Sequence, residues 1–450
     1  MDRTNRPMGM RAFVIIWIGQ IISMLGTSMT HFGLTIWIYE QTGEATPLAL
    51  MGFFFFAPMV VLSPVAGAIV DRSNRKLMMM LSDLAAGLVT IVQLALLATG
   101  SLQIWHLYVT AVIASSFQTF QWPAFSAAIA MMLPKEQYGR ANGMLELAGS
   151  AAGIFAPMLA GAMLPIIGLT GIMTIDIVTF SFAVGALLFV FIPQPERTEA
   201  GRTGSGSIWK ESAYGFRHIL QRPSLLGLQL VFTVGNFFSG LGFTLLPAMI
   251  LARTGNNEIV LGSVQSAGAI GGVIGGLVMS AWGGPKRRVH GVLAGWILGS
   301  LLGEGLLGLG QSLPVWLVAS FLGMFFAPII NASNQAIWQA KVEPDVQGRV
   351  FATRRLIAWS VSPISTLLAG PLADRVFEPA MQTGGSLTDT FSWLVGTGPG
   401  AGMALLLIFS GLGAALAGLT GYLVPVVRNA EAILPDFDAM PEEAVAEAVA

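Results

Sequence analysis

The chain has 450 residues, 54% of them apolar and only 10% charged, where soluble domains carry roughly 25% charged residues. Its formal net charge of −1 offers a nucleic acid no basic surface, and the absence of cysteine excludes disulfides, thiol catalysis and thiolate metal sites. The four histidines, His31, His106, His218 and His290, do not pair at ligand spacing. No metal or cofactor is therefore expected, and no nucleophile–base pair suggests an enzyme.

A helix that spans a bilayer needs about 20 mostly apolar residues. Twelve such runs follow one another, at 12–39, 47–70, 77–99, 104–132, 141–164, 169–192, 223–251, 259–282, 290–310, 314–340, 350–373 and 400–427. They are far longer than the ~10-residue strands of a membrane barrel, so the fold class is an all-α polytopic membrane protein. The first run is too long for a signal-peptide core and reads as a retained helix behind a short N-terminus, 1–11.

Between the second and third runs stands Gly67-Ala68-Ile69-Val70-Asp71-Arg72-Ser73-Asn74-Arg75-Lys76, a tight charged turn at a membrane surface. Asn74 tolerates left-handed backbone angles, which suits such a turn. With both chain ends on the inner side of a bacterial-type inner membrane, every Lys and Arg except Arg253 and Arg375 falls inside. The longest inner link, 193–222, begins Pro/Gly/Ser-rich, as a flexible linker does. It ends in Ile208, Trp209, Phe216, Ile219 and Leu220 among charged residues, the pattern of an amphipathic surface helix. It divides an N-terminal six-helix bundle, 12–192, from a C-terminal one, 223–427. A loop at 374–399 ends in a glycine-rich stretch, 396–402, read as a hinge beside a surface-lying segment. An acidic tail, 428–450, is expected to be disordered or a short frayed helix.

The halves repeat. Glu136-Gln137-Tyr138-Gly139-Arg140 before the fifth run matches Asp345-Val346-Gln347-Gly348-Arg349 before the eleventh, and Pro123 and Pro157 have counterparts in Pro328 and Pro363. Polar side chains inside a membrane should face the bundle interior or a wet path. Four runs carry polar stripes at helical spacing: Gln20, Ser23, Thr27, Thr30 and His31 in the first; Gln118 and Gln121 in the fourth; Gln229, Thr233, Asn236 and Thr244 in the seventh; Asn331, Asn334, Gln335 and Gln339 in the tenth. Gln20, Thr27, His31, Gln118, Gln121, Gln229, Asn236, Asn331, Asn334 and Gln335 are the candidate substrate-binding residues. The competing reading for each is an interhelical hydrogen bond worth about 0.6 kcal/mol. Neutral amides beside large aromatic faces suit a bulky amphiphilic ligand. No Lys or Arg stands mid-run to clamp an anion.

Four acids lie within apolar runs. Glu146, Asp176 and Glu304 are candidate proton carriers, Glu146 first among them, since taking up a proton removes the cost of a charge in the membrane. Asp176 and Glu304 lie toward the outer surface, where partial hydration is expected. Asp83 is assigned with Asp71, Arg72 and Arg75 to a surface gate, together with Arg354 and Arg355 at the start of the eleventh run. Glycines every fourth residue, Gly268, Gly272 and Gly276 in one run and Gly291, Gly295, Gly299 and Gly303 in the next, predict close helix packing.

The turn at Asp71 resembles the Gly-x-x-x-Asp-Arg-x-Gly-Arg-Arg/Lys loop of the major facilitator superfamily. The run Trp17 to Gly26, Gly348-Arg349-Val350 and Gly370-Pro371-Leu372-Ala373-Asp374-Arg375 resemble its macrolide-efflux drug:proton antiporters. Gly143, Ala152, Ala156-Pro157 and Ala160-Gly161 fall at the spacing of the superfamily's exporter signature, with Ala at three glycine positions. The arginine that the family uses in its fourth helix is absent. The resemblance implies two pseudo-symmetric six-helix bundles, with a site between them lined by the first, fourth, seventh and tenth helices. It also implies a monomer that exports hydrophobic small molecules in exchange for protons, the inner turn latching against the start of the eleventh helix. Siderophores, other secondary metabolites and lysophospholipids are the alternative cargoes.

Overall fold

In the computed structural model, residues 9–134, 137–192, 215–342 and 346–436 are described. The side chains of Asp71, Arg72 and Glu146 lie outside that description, as do Ile208 and Trp209 of the expected surface helix. Among the described residues the chain is a succession of long helices. In lipid a backbone must satisfy its own polar groups, and a helix does so within one segment. Gly9–Thr42 (α1), Thr46–Arg72 (α2), Arg75–Ala98 (α3) and Ile104–Met132 (α4) hold the first four apolar runs. Tyr138–Phe189 (α5) holds the fifth and sixth, which part at Gly168, where φ is 65° and ψ is 177°. That conformation is open to glycine at little cost.

Pro223–Thr254 (α6) and Glu258–Trp282 (α7) follow. The ninth run is Arg288–Ser300 (α8), a π-helical turn Leu301–Gly305 and Leu306–Leu309 (α9). Leu313–Lys341 (α10) is the tenth. The eleventh is Gln347–Ser360 (α11), Ser362–Leu372 (α12), a second π-helical turn Ala373–Phe377 and Glu378–Met381 (α13). Thr388–Val395 (α14) leads into Ala401–Leu423 (α15), the last run. All twelve runs are therefore helical. Between α14 and α15, Gly396, Gly398 and Gly400 have φ of 75°, 107° and 82°, a turn that side chains would strain. Trp393 on α14 is 78% exposed.

Asn74 departs from the expected left-handed turn. Its φ of −71° and ψ of 113° are extended, and its side chain accepts the Leu77 N–H at 3.1 Å. It is an N-cap for α3. Lys76 closes the neighbouring helix end, its Nζ donating to the Val190 carbonyl at 2.7 Å.

The chain forms two compact units. The first unites the described residues up to 192 with 244–269 and 366–378; the second unites 215–243, 270–365 and 379–436. The core of the first holds Phe13, Ile16, Met79, Phe125, Ile129 and Leu187. In the second, Trp338, Leu228, Val292, Trp296, Ile337 and Val350 are packed together.

Glycine packing follows the expectation for one ladder only. On α8 and the π-turn after it, Gly295 and Gly303 lie where a Cβ would stand 2.5 Å from Ile330 Cγ1 and 2.6 Å from Gly323 Cα. On α7 the close face is Gly271 and Gly275, whose Cβ positions overlap the Phe321 and Phe325 carbonyls. Gly272 and Gly276 of the predicted ladder have room.

The start of the tail is held, and Ala430–Ile433 is a short helix, the second of the two forms expected of it. The Glu431 carboxylate accepts the Val289 N–H at 2.9 Å, and Lys341 Nζ reaches the Glu431 carbonyl and Asp436 Oδ1, both at 2.7 Å. Lys341 is 4% exposed, whereas Asp436 is 51% exposed, so solvent weakens the ion pair and the carbonyl bond carries more of the tie. Lys341→Ala should cost about 1–2 kcal/mol and free the tail. Limited proteolysis checks this: cleavage after residue 428 should accelerate, and an unchanged pattern would contradict the tie.

Candidate functional site

The predicted polar residues fall into groups within each unit. In the first unit, α1, α3 and α4 bring Gln20, Asp83 and Gln121 together. Gln20 Nε2 donates to Asp83 Oδ2 at 2.8 Å, Gln121 Nε2 donates to Asp83 Oδ1 at 2.8 Å, and Gln121 Nε2 also lies 3.2 Å from Gln20 Oε1. Asp83 itself is buried. The sequence placed this acid in the surface gate with Asp71 and Arg75. Two turns of helix beyond Arg75, it meets the amide stripes of α1 and α4 instead. Both carboxylate oxygens are thus occupied by neutral donors contributed by two other helices.

A second acid belongs to the same unit. Asp176, on the later half of α5, accepts Thr27 Oγ1 and Thr90 Oγ1, each at 2.9 Å. It is 2% exposed, not hydrated at a surface as the sequence suggested. A Cβ on Gly26 would overlap Thr179 Oγ1 and stand 3.0 Å from Asp176 Cα, so its absence lets α1 approach closely enough for Thr27 to reach the carboxylate. His31 and Gln118 are exposed. The His31 ring meets the Phe55 ring edge-on at 6.1 Å.

In the second unit the polar group is built on α6, α10 and α11. Gln229 Nε2 donates to the Arg354 carbonyl at 3.2 Å and Asn236 Nδ2 to the Ala358 carbonyl at 3.2 Å. Asn334 Oδ1 accepts from Trp338 Nε1 at 3.0 Å. Gln335 Oε1 accepts from an Arg354 guanidinium nitrogen. Arg354 lies over the rings of Trp338 and Phe351, 5.3 Å from each centroid, and its Nη1 is buried without a hydrogen-bond partner. The sequence read Arg354 and Arg355 as one surface pair; Arg355 is exposed, whereas Arg354 turns among aromatic rings. Asn331 is exposed.

Glu304 stands on the π-helical turn of the ninth run, where Gly242 of α6 approaches it; a Cβ on Gly242 would lie 3.1 Å from Glu304 Cγ. One of its carboxylate oxygens, Oε2, is buried without a partner. Such π-turns concentrate at functional positions, and the sequence carried no signal for this one beyond the acid itself.

Sequence reasoning also passed over a seam in the first unit. The exporter-signature face of α5 lies directly on α7. Ser266 Oγ donates to the Ile154 carbonyl at 2.7 Å, a Cβ on Gly161 would stand 2.7 Å from the Glu258 carbonyl oxygen, and one on Gly262 would overlap the Pro157 carbonyl. The small residues on both sides were visible in the sequence, but not their pairing.

The family model of the Major Facilitator Superfamily matches residues 16–365. Over 370 residues the chain is 25% identical to Macrolide efflux protein A of Streptococcus pyogenes, covering 81% of this chain and 90% of that one. Over 388 residues it is 26% identical to the Multidrug efflux pump Tap of Mycolicibacterium fortuitum, covering 82% and 91%. Among solved structures, the nucleoside transporter NupG aligns with a TM-score of 0.63 at 10% identity, over 91% of this chain and 99% of that one. A bacterial homolog of the human lysosomal transporter Spinster aligns at 0.62 and 15% identity, over 94% and 95%. The matched family model, the long apolar helices of the described residues and these shared folds together identify the chain as a multi-pass membrane transporter, not an enzyme, that belongs to the Major Facilitator Superfamily.

Proposed function

We propose that this transporter exports hydrophobic or amphiphilic small molecules, macrolide-like drugs among them, in exchange for protons, by alternating access of its two six-helix halves. The names of its relatives, macrolide efflux and multidrug efflux, support the cargo class. The neutral amides of Gln20, Gln121, Gln229, Asn236, Asn334 and Gln335 support a cargo oriented by hydrogen bonds rather than clamped by charge.

The single observation that supports proton coupling is Asp83 between Gln20 and Gln121. Two N–H donors suit a carboxylate; a protonated acid brings its own O–H, so one glutamine must then turn its oxygen inward. Proton uptake at Asp83 thereby reorients a side chain on α1 or α4. Cargo and proton influence each other only through such a difference between states. Asp176, Glu304 and Glu146 are the reserve candidates. Flux in proteoliposomes after a pH jump, against a panel of macrolides, dyes and siderophores, tests the reading. Accumulation of a macrolide or dye that follows the pH gradient supports it, and flux indifferent to pH overturns it.

Arg354 favours a second reading on the same fold, with a siderophore, another secondary metabolite or a lysophospholipid as cargo. A guanidinium with a free Nη1 between two aromatic rings is a seat for a carboxylate or phosphate. Competition by anionic against cationic amphiphiles separates the two readings.

Asp71, with Arg72 and Arg75, is the proposed inner latch, both chain ends lying on that inner side. Asp71→Asn should slow flux about tenfold, the scale of one hydrogen bond to a charged group, and leave thermal melting unchanged. Flux at the parent rate would remove Asp71 from the latch.

A further inference from the structure

The hexad Gly67-Ala68-Ile69-Val70-Asp71-Arg72 closes α2, and its three marked residues recur at the same spacing in Gly370-Pro371-Leu372-Ala373-Asp374-Arg375. The second copy ends the eleventh run, which begins at the basic side with Arg354 and Arg355, so Asp374 stands at the opposite side. In the orientation that the Lys and Arg distribution implies, that side is the outer one.

Both oxygens of Asp374 accept backbone N–H groups. Oδ1 takes the Ala45 N–H at 2.9 Å and Oδ2 takes the Thr46 N–H at 2.6 Å. Ala45 is the N-cap of α2 and supplies no capping side chain. The first N–H groups of a helix have no partner within it, and together they form its positive end. Asp374 thus supplies, from 329 residues away, the anionic cap that α2 lacks locally.

Two features present the carboxylate there. Asp374 lies in the π-helical turn Ala373–Phe377. One turn earlier, Gly370 lies so close that a Cβ would overlap Thr46 Cα and stand 2.9 Å from Ala49 Cβ. All these residues belong to the first unit.

We propose that Asp374 is the outer latch of the transport cycle, holding the N-terminus of α2 while the outer face is shut and releasing it when that face opens. A helix that needed only a permanent cap would carry Ser, Thr, Asp or Asn at position 45. With Ala45 there, the cap exists only while the eleventh helix is docked. On release, water takes over the freed N–H groups, which keeps the latch reversible. The proposal rests on membership of the superfamily and needs neither the cargo nor the coupling ion proposed above.

The chain contains no cysteine, so Ala49→Cys, at a position fully buried beneath Gly370, gives one reporter thiol. Maleimide labelling in nanodiscs, where both faces meet solvent, makes the readout independent of orientation. Asp374→Ala should raise the labelling rate about tenfold, and Asp374→Asn, which keeps one acceptor and loses the charge, about threefold. A local cap, Ala45→Ser, added to Asp374→Ala should restore thermal stability and leave labelling fast. Labelling at the parent rate in Asp374→Asn, or its return to that rate once Ala45→Ser is added, would overturn the latch and leave Asp374 a structural cap. Should Asp374→Ala fail to fold, Asp374→Asn alone decides by the same criterion.

Discussion

Asp83→Asn should abolish uphill export while sparing passive exchange. With one proton exchanged per cargo molecule, each unit of pH difference supports a concentration ratio of about ten, since one pH unit corresponds to about 1.4 kcal/mol. The variant should lose that factor for every unit of imposed gradient and bring its cargo only to equilibrium. Asn has the shape of Asp and keeps one acceptor for Gln20 or Gln121, but it can neither take up nor release a proton. Its amide also faces one of the two glutamine donors, which must turn. This freezes the arrangement that proton uptake would otherwise produce. Counterflow of labelled cargo at equal pH separates the roles. Retained counterflow without gradient-driven export marks a coupling residue. Loss of both marks a structural one. Retained gradient-driven export moves coupling to Asp176, Glu304 or Glu146.

Gly262→Leu should cut export by more than tenfold through a different route. The α5–α7 seam has no slack at this point, because the atom that a side chain would meet is the Pro157 backbone carbonyl, which cannot swing aside as a side-chain tip could. On the same seam a Cβ on Gly161 would stand only 2.7 Å from the Glu258 carbonyl oxygen, and Ser266 bonds across it to Ile154. A leucine must hold the helices apart. If the seam closes once per cycle, the cycle stalls with this face open, and a probe thiol beside it labels faster. A change in melting temperature with unchanged export would mean that the seam is fixed packing.

The helical character of the apolar runs was legible because a bilayer demands apolar segments of one length. The break at Gly168 was also within reach, since the apolar run changes character around Pro165 and Gly168. Side-chain partnership was not. Asp83 looked like part of the inner turn because it lies close to Arg75 in sequence; in three dimensions helical rise carries it to Gln20 and Gln121. Both Gly268-Gly272-Gly276 and Gly271-Gly275 repeat every four residues, and nothing in the spacing tells which one meets Phe321 and Phe325. Asn74 has two uses open to it, a left-handed turn or an N-cap, and the cap won because α3 begins at the next residue. The buried setting of Arg354 depends on Trp338 and Phe351, one of them on another helix. The acidic composition of the tail masked the fit of Glu431 and Asp436 to α8 and Lys341.

The measurement closest to the central claim follows protons and cargo together. Proteoliposomes carrying a lumenal pH indicator, with no initial gradient, receive an outside pulse of a macrolide or cationic dye. An antiporter admits cargo and lets protons out, so the lumen should turn alkaline at the rate of cargo entry, and Asp83→Asn vesicles should show entry without the pH change. Cargo entry in the parent protein with no change in lumenal pH would contradict proton exchange.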